Sequence, residues 1–304
     1  MNKKLPTVTV AVSALNEAPN IRSFLEAILR QKEQGYVLEK ILVISDGSTD
    51  STAEIAKSIK SKRLEVKDYP NRVGKSTRLN EIFASLKSEY LVLADADVIF
   101  AHPHVIQSLI KPFSQSSKIG LIGGYTIPLP AQTFIEKAVN CTLDAYIPVR
   151  ESYKGGHNVL SATGRLMALK KELAKKIHVP AETISNDGFT YFSCLVNKYE
   201  YRHAPKAEVY FRSPQNLKDH LSQCTRFLAT HVFMKRYFPA DLVDSEYYLP
   251  PQLIYPQMLK QFIFHPVLSL YIFSINKYCE IKAHIDEKRI NSLWDIVYTT
   301  KKLI

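Results

Sequence analysis

The 304-residue chain carries 46% hydrophobic residues and a formal net charge of +11, which excludes a disordered polymer and leaves room for one large core or two fused smaller ones. The positive balance favours anionic partners, but the Lys and Arg residues are spread along the chain with no finger, RNP-like or helix-turn-helix pattern, so no nucleic acid partner is expected. Four cysteines, Cys141, Cys194, Cys224 and Cys279, form no C-x-x-C pair, which removes a zinc knuckle and a dense disulfide framework and points to a reducing, cytoplasmic setting.

The opening Met-Asn-Lys-Lys-Leu-Pro run enters a strand-like segment without an apolar leader, so no secretory signal is expected. Short runs of Val, Ile and Leu then predict strands over 7–13, 40–45, 64–67 and 90–94. Helical spacing lies between them, over 20–31, 49–61 and 75–86, with Asp50 and Ser51 placed to cap the second helix. Strand and helix alternate as in a Rossmann-like α/β fold, a mixed, mostly parallel sheet flanked by helices. Further on, the pattern predicts a helix over 104–114, a strand over 119–126, a Gly-containing segment over 155–169 and a helix over 217–236. One catalytic domain over 1–239 is expected, followed by a helical, aromatic-rich extension over 240–304. The most apolar stretch of that extension, 262–275, is interrupted by His265 and Pro266 and is too short to span a bilayer. A helix on a membrane surface or on a partner, or a buried helical hairpin, are the remaining options.

Ligands of such sheets gather outside the carboxyl ends of the strands, and the loops there hold Asn16-Glu17, Asp46-Gly47-Ser48 and Asp95-Ala96-Asp97. The last is an apolar strand ending in two carboxylates one residue apart. Hard oxygen ligands of this kind suit Mg²⁺ or Mn²⁺ that completes its coordination with substrate phosphates. Gly74-Lys75-Ser76 is no P-loop, because Tyr69 stands where the motif needs its earlier glycine. His102 and His104 flank Pro103 just beyond the acidic pair and read as surface or packing residues rather than as further ligands.

Together these residues resemble the inverting, family-2 type glycosyltransferases of the GT-A fold, which include polysaccharide synthases. The resemblance covers about residues 7–239. It rests on Asn16-Glu17, the stretch from Asp46 to Thr52, Asn71-x-x-Gly74-Lys75-x-x-x-Leu79-Asn80, the D-x-D of Asp95 and Asp97, and Gln223-Cys224-Thr225-Arg226-Phe227, where the family carries Q-x-x-R-W. It implies a nucleotide-sugar site formed by Asn16, Glu17, Asp46, Lys75, Asp95, Gln223 and Arg226, with the metal, Mn²⁺ or Mg²⁺, on Asp95 and Asp97. Asp187, in Ser185-Asn186-Asp187-Gly188, is the candidate base; Asn186 replaces one carboxylate of the family's usual acidic pair. An inverting transferase needs a base to take the acceptor hydroxyl's proton as it attacks the anomeric carbon. Gly164, within Ser161 to Ala168, and Phe227 are the acceptor-side candidates.

The implied activity is transfer of a hexosyl or N-acetylhexosaminyl unit from a nucleotide-sugar, UDP-linked by the family's uridine-contacting motifs, to a saccharide or glycolipid acceptor in polysaccharide or cell-envelope glycan synthesis. The aromatic extension and basic surface favour a cytoplasmic protein peripheral at the inner face of the cell membrane, or one working with a membrane subunit. A sugar-phosphate nucleotidylyltransferase would need a Gly-rich basic loop after the first strand, and Ser13-Ala14-Leu15-Asn16-Glu17 is neither. The remaining alternative is a non-catalytic nucleotide-sugar-binding subunit of a glycan assembly complex.

Overall fold

The computed structural model describes residues 4–286, 299–301 and 303; the remainder of the predicted 240–304 extension lies outside the described residues. The first half alternates strand and helix as the periodicity predicts: β1 (Thr7–Ala14), α1 (Ile21–Leu29), β2 (Val37–Asp46), α2 (Thr52–Ser58), β3 (Leu64–Tyr69), α3 (Lys75–Ser85) and β4 (Tyr90–Ala94). Then follow β5 (Val98–Phe100), α4 (Val105–Ile110), β6 (Ile119–Pro128), α5 (Phe134–Ser152), β7 (Leu166–Lys170), α6 (Lys171–Ala174), α7 (Asn186–Val196) and β8 (Glu200–Phe211). The last helices are α8 (Leu217–Met234), α9 (Ala240–Tyr247), α10 (Pro251–Phe264) and α11 (Pro266–Asp286).

All eight strands join one sheet in the order β3-β2-β1-β4-β7-β6-β8-β5. Only β7 and β5 run against the rest, so the sheet is mixed and mostly parallel. Strand side chains alternate between faces, and the core divides accordingly. Val10, Val12, Ile41, Val43 and Val92 face α1 and α4 in one buried cluster. Ala11, Leu42, Ile44, Leu91 and Leu93 face α3, α7 and α8 in the other, which Val243 of α9 also joins. With both faces covered, the strands read as nearly continuous apolar runs. Strand order turns back between β1 and β4, and the crevice beyond their carboxyl ends is where such sheets bind ligands.

Sequence periodicity did not indicate α5, because Pro148 lies inside it and its apolar face is broken by Glu136, Asn140 and Asp144. A variant of the capping box starts it, with the reciprocal bond going to the residue before the N-cap Thr133. Thr133 Oγ1 accepts from Glu136 N at 3.1 Å, and Glu136 Oε2 accepts from Gln132 N at 2.7 Å. Glu136 also pairs with Arg212 at 2.8 Å, both side chains almost wholly buried, tying α5 to the end of β8. Thr133→Ala is expected to cost about 0.5–2 kcal/mol, the usual value of an N-cap side chain, read as a lowered urea midpoint at unchanged slope. At α2 the capping differs from expectation. Asp50 Oδ1 accepts from Thr52 N at 3.0 Å, whereas Ser51 makes no side-chain cap bond.

The helices α10 and α11 form a hairpin about His265 and Pro266, seated on α5 through Ile272, Ala138 and Val139. Burial is one-sided: no residue of α10 is buried, whereas Ile272 and Cys279 of α11 are. Twelve of the twenty-two exposed large hydrophobic side chains among the described residues lie between Tyr248 and Ile281. Among the described residues no helix is long and apolar enough to cross a membrane.

Candidate active site

A cavity of about 280 Å³ opens at the carboxyl ends of β1, β2 and β4, lined among others by Glu17, Asp46, Lys75, Asp95, Asp97, Gly164, Asp187, Gln223, Arg226 and Phe227. Residues from seven separate stretches of sequence thus meet in one space. Of the catalytic, substrate-binding and metal residues assigned from sequence, only Asn16 lies outside this lining.

The strand-end loops are built from internal hydrogen bonds. Asn16 sits at φ +54°, a left-handed conformation that Asn tolerates better than most residues. Its Oδ1 accepts from Thr49 N at 2.8 Å, and its own N–H donates to Ser48 Oγ at 3.1 Å. Asn16 thereby locks the loop after β1 to the loop after β2. Asp46 is 3% exposed and its carboxylate accepts from Val73 N at 3.0 Å, Gly74 N at 2.8 Å and Arg78 Nε at 2.7 Å. It reaches the cavity while holding the segment that delivers Lys75. Gly47 permits this closeness: at φ +72°, a Cβ there would lie 2.4 Å from Arg72 N, so only glycine fits without moving backbone.

Asp95 and Asp97 follow β4. The Lys75 ammonium bridges to Asp95 Oδ1 at 2.5 Å. Burial pulls that ammonium down, but Asp95, Asp187 and Asp97 outweigh it and its pKa rises. Burial and the charge of Asp95 push the Asp97 carboxyl up, against the opposing pull of Arg165, Lys301 and Lys75. Two crowded hard carboxylates fit a divalent cation that takes its other ligands from water and phosphate. Among the described residues no group of three or more His, Cys, Asp or Glu side chains is placed to hold a metal, so this pair offers no closed, all-protein cage. His102 and His104 turn elsewhere, His102 Nε2 to Lys206 O at 3.0 Å and His104 Nδ1 to Gln107 Oε1 at 3.1 Å.

Across the cavity, α7 begins at Ser185, whose hydroxyl serves as the cap. Asp187 lies in the first turn, with Oδ1 accepting from Ser185 Oγ at 2.6 Å and Gly188 N at 2.9 Å, and Oδ2 from Gly164 N at 3.1 Å. Asn186, which stands where the resemblance leads one to expect a carboxylate, accepts from Ser76 Oγ at 2.8 Å and ties α7 to α3. A Cβ at Gly164 would stand 3.7 Å from both Asp187 Oδ2 and Lys75 Nζ. The fold would accept a side chain there, and its absence leaves room in front of Asp187. Gln223 and Arg226, three residues apart on α8, line the same wall, and Phe227 beside them is 52% exposed. Burial lowers the Arg226 guanidinium, and the charges of Asp187 and Asp95 hold it up.

Arg165 and Lys301 also line the cavity and were not foreseen as site residues. Arg165 is delivered by β7: antiparallel pairing sets Leu166 opposite Ala94, which brings Arg165 beside the acidic pair, where its carbonyl accepts from Asp95 N at 3.3 Å. Its position after Gly164 was visible, but only the sheet register gives it meaning. Lys301, distant in sequence and without a motif, bonds the Leu15 carbonyl at 2.6 Å and the Glu17 carboxylate. Burial and the charge of Asp97 push Glu17 up to about 7, despite the opposing pull of Lys301 and Asn20.

Comparison with known proteins agrees with this geometry. The chain is 22% identical over 221 residues to the poly-beta-1,6-N-acetyl-D-glucosamine synthase of Staphylococcus epidermidis, covering 71% of this chain and 52% of that protein. It is 27% identical over 124 residues to the 4,4'-diaponeurosporenoate glycosyltransferase of Staphylococcus aureus, covering 40% of this chain and 32% of that one. The chain spans about half the length of the first of these curated relatives. Its fold resembles that of a Pyrobaculum calidifontis mannosyltransferase solved with GDP-Man and Mn²⁺ (TM-score 0.61, 17% identity, 93% of this chain and 76% of that one). It also resembles Mycobacterium tuberculosis glucosyl-3-phosphoglycerate synthase solved with Mn²⁺, UDP and phosphoglyceric acid (TM-score 0.53, 19% identity, 77% of this chain and 80% of that one). These neighbours identify the sheet and its helices as the GT-A fold. The model of glycosyl transferase family 2 matches residues 9–178, more than half of the sequence, and the chain belongs to that family.

Proposed function

We propose that this chain is an inverting glycosyltransferase that moves a hexosyl or N-acetylhexosaminyl unit from a UDP-sugar to a saccharide or glycolipid acceptor at a membrane surface. The observation that carries the reading is the meeting of Asp95 and Asp97, Lys75, Arg226 and a separately held Asp187 in one cavity. In this reading the groups serve two roles, charge at the diphosphate and a base for the acceptor hydroxyl.

In this reading Asp95 and Asp97 hold Mn²⁺ or Mg²⁺, which supplies charge neutralisation for the departing nucleoside diphosphate. Lys75 and Arg226 add fixed cations to the same leaving group, placed before reaction and so needing no reorganisation during it. Gln223 assists at the diphosphate, and Glu17 and Asp46 with Asn16 shape the nucleoside end. Asp187 accepts the proton of the attacking hydroxyl. Its carboxylate is aimed by the Ser185 hydroxyl and the Gly164 and Gly188 N–H groups, and the space over Gly164 receives the acceptor, with Phe227 as its apolar wall. The catalytic groups are assigned to residues 1–239, with Thr300 and Lys301 also lining the cavity, and membrane-side docking is assigned to α10 and α11. The staphylococcal synthase, named for a polymer of N-acetylglucosamine, supports a place in polysaccharide or cell-envelope glycan synthesis. The solved neighbours carry Mn²⁺ with GDP-mannose in one case and UDP in another; they support a divalent metal, while UDP rests on the motif residues.

The test is a donor screen: purified protein with Mn²⁺ and each common UDP-, GDP- and dTDP-sugar, following nucleoside diphosphate release with lipid and oligosaccharide acceptors present. One UDP-sugar is expected to be turned over, with release stopped by EDTA and restored by Mn²⁺ or Mg²⁺. Binding of UDP without turnover of any donor would replace this reading by that of a non-catalytic nucleotide-sugar-binding subunit.

A further inference from the structure

Lys301 reaches the floor of the cavity from the far end of the chain. Its ammonium donates to the carbonyls of Leu15 at 2.6 Å and Asn16 at 3.2 Å and to the carboxylate of Glu17, and the Lys301 and Glu17 side chains are 13% and 8% exposed. The short segment around it is anchored on both sides of the cavity. Thr299 donates through N (3.1 Å) and Oγ1 (2.5 Å) to Asp219 Oδ2 on α8, the helix that carries Gln223 and Arg226. On the other side Asn20 Nδ2 donates to Lys301 O at 2.8 Å, and Arg212 Nη2 donates to Leu303 O at 3.1 Å. Thr300 and Lys301 themselves line the cavity.

We infer that Lys301 is a positioning residue of the nucleotide site, and that the Thr299–Lys301 turn is the strap that joins the loop after β1 to α8 across it. The inference deepens the nucleotide-sugar reading and rests on it. Two features argue for a wall rather than a plug. The ammonium is spent on the backbone carbonyls and on Glu17, not on Asp95, which bonds Lys75. The anchors of the strap, at Asp219, Asn20 and Arg212, belong to the frame of the cavity. What Lys301 contributes is charge and shape. Glu17 is a nearly buried carboxyl group on the side of the cavity where Asp97 also lies, and in its ionised form it would set a negative potential against the phosphates of a nucleotide. With the ammonium in place, Glu17 is neutralised and the Leu15–Glu17 backbone is fixed. Sequence distance hides the relation, since 284 residues separate the partners.

The experiment measures UDP binding calorimetrically in the presence of Mn²⁺ on the full chain, with donor and acceptor KM in parallel, for the intact protein and for Lys301→Ala, Lys301→Arg and Asp219→Ala. Lys301→Ala is expected to weaken UDP roughly tenfold, the effect of one unit charge acting over about 12 Å at an effective dielectric of about 20. Donor KM should rise with it while acceptor KM and kcat stay within about threefold. Lys301→Arg should recover most of the affinity, and Asp219→Ala, which loosens the strap from its other anchor, should share the loss. UDP binding by Lys301→Ala as tight as in the intact protein would overturn the inference. Tighter binding would overturn it in favour of a plug, and an equal rise in acceptor KM would reduce Lys301 to general support of the fold. An intact protein that binds no UDP fails the nucleotide-sugar reading itself, which is a separate result from a silent Lys301→Ala.

Discussion

Replacing Asp187 by Asn is expected to lower donor turnover in the presence of acceptor by about 10²–10⁴-fold, the range a positioned general base contributes, and to leave the affinity for UDP within about threefold. The substitution keeps shape and removes the proposed proton acceptor. Asn can still accept from Ser185 Oγ and Gly188 N through one oxygen, as Asp187 Oδ1 does at 2.6 and 2.9 Å. Its amide nitrogen, however, would face the Gly164 N–H, which now donates to Oδ2 at 3.1 Å. Two donors would then oppose each other, and a loss of about 1–3 kcal/mol in stability is expected beside the kinetic effect. Initial rates of nucleoside diphosphate release, with a melting curve and a UDP titration on the same sample, separate the two. A rate within about threefold of the intact protein would remove Asp187 from the chemistry and leave it as a brace between α7 and the Gly164 turn.

The parts of the structure that were legible in sequence are those governed by local periodicity. The strands β1 to β4 and the helices between them follow from apolar runs and helical spacing, because each buries a face fixed by residues close in sequence. The helix α5 was hidden by Pro148 and by polar residues whose partners are remote, as Glu136 shows in pairing with Arg212. β8 was hidden for a related reason: Arg202, His203, Pro205 and Lys206 interrupt its apolar pattern, and it is placed by pairing with β6 and β5. In the cavity, the acidic strand ends were visible because strand-end loops are where α/β sheets work. The use of Asn16 to lock two loops, of Asp46 to hold the Lys75 segment and of Lys301 to brace Glu17 was not, since each depends on hydrogen bonds between segments that no local pattern connects.

The second large effect concerns the hairpin. Ile263→Ser, Phe264→Ser and Val267→Ser together are expected to weaken binding to vesicles of mixed neutral and anionic phospholipid by about 100-fold or more, measured by flotation or sedimentation. Exposure of the apolar side chains is high at the turn: Ile263 is 64% exposed, Phe264 68% and Val267 71%. Full burial of such a side chain is worth about 1.5–3 kcal/mol, so partial insertion at roughly 1 kcal/mol each gives three residues a combined factor of about 100. Leu259, Phe262, Leu270 and Phe273 surround the same turn, whereas Leu268, Tyr271 and Ile272 face the body of the protein. The exposed apolar surface therefore gathers at the end of the hairpin, a shape suited to dipping the turn into the boundary of headgroups and acyl chains rather than to crossing it. Lys260, Lys277 and Lys282 lie along the same helices and the whole chain is basic, so binding should weaken when the anionic lipid is omitted and again as salt is raised. Intact protein that ignores such vesicles but self-associates, with the triple substitution restoring the monomer, would assign the hairpin to a second copy of the chain instead. Vesicle binding with the expected losses would place the chain at a membrane surface, where the proposed glycolipid acceptor would be met.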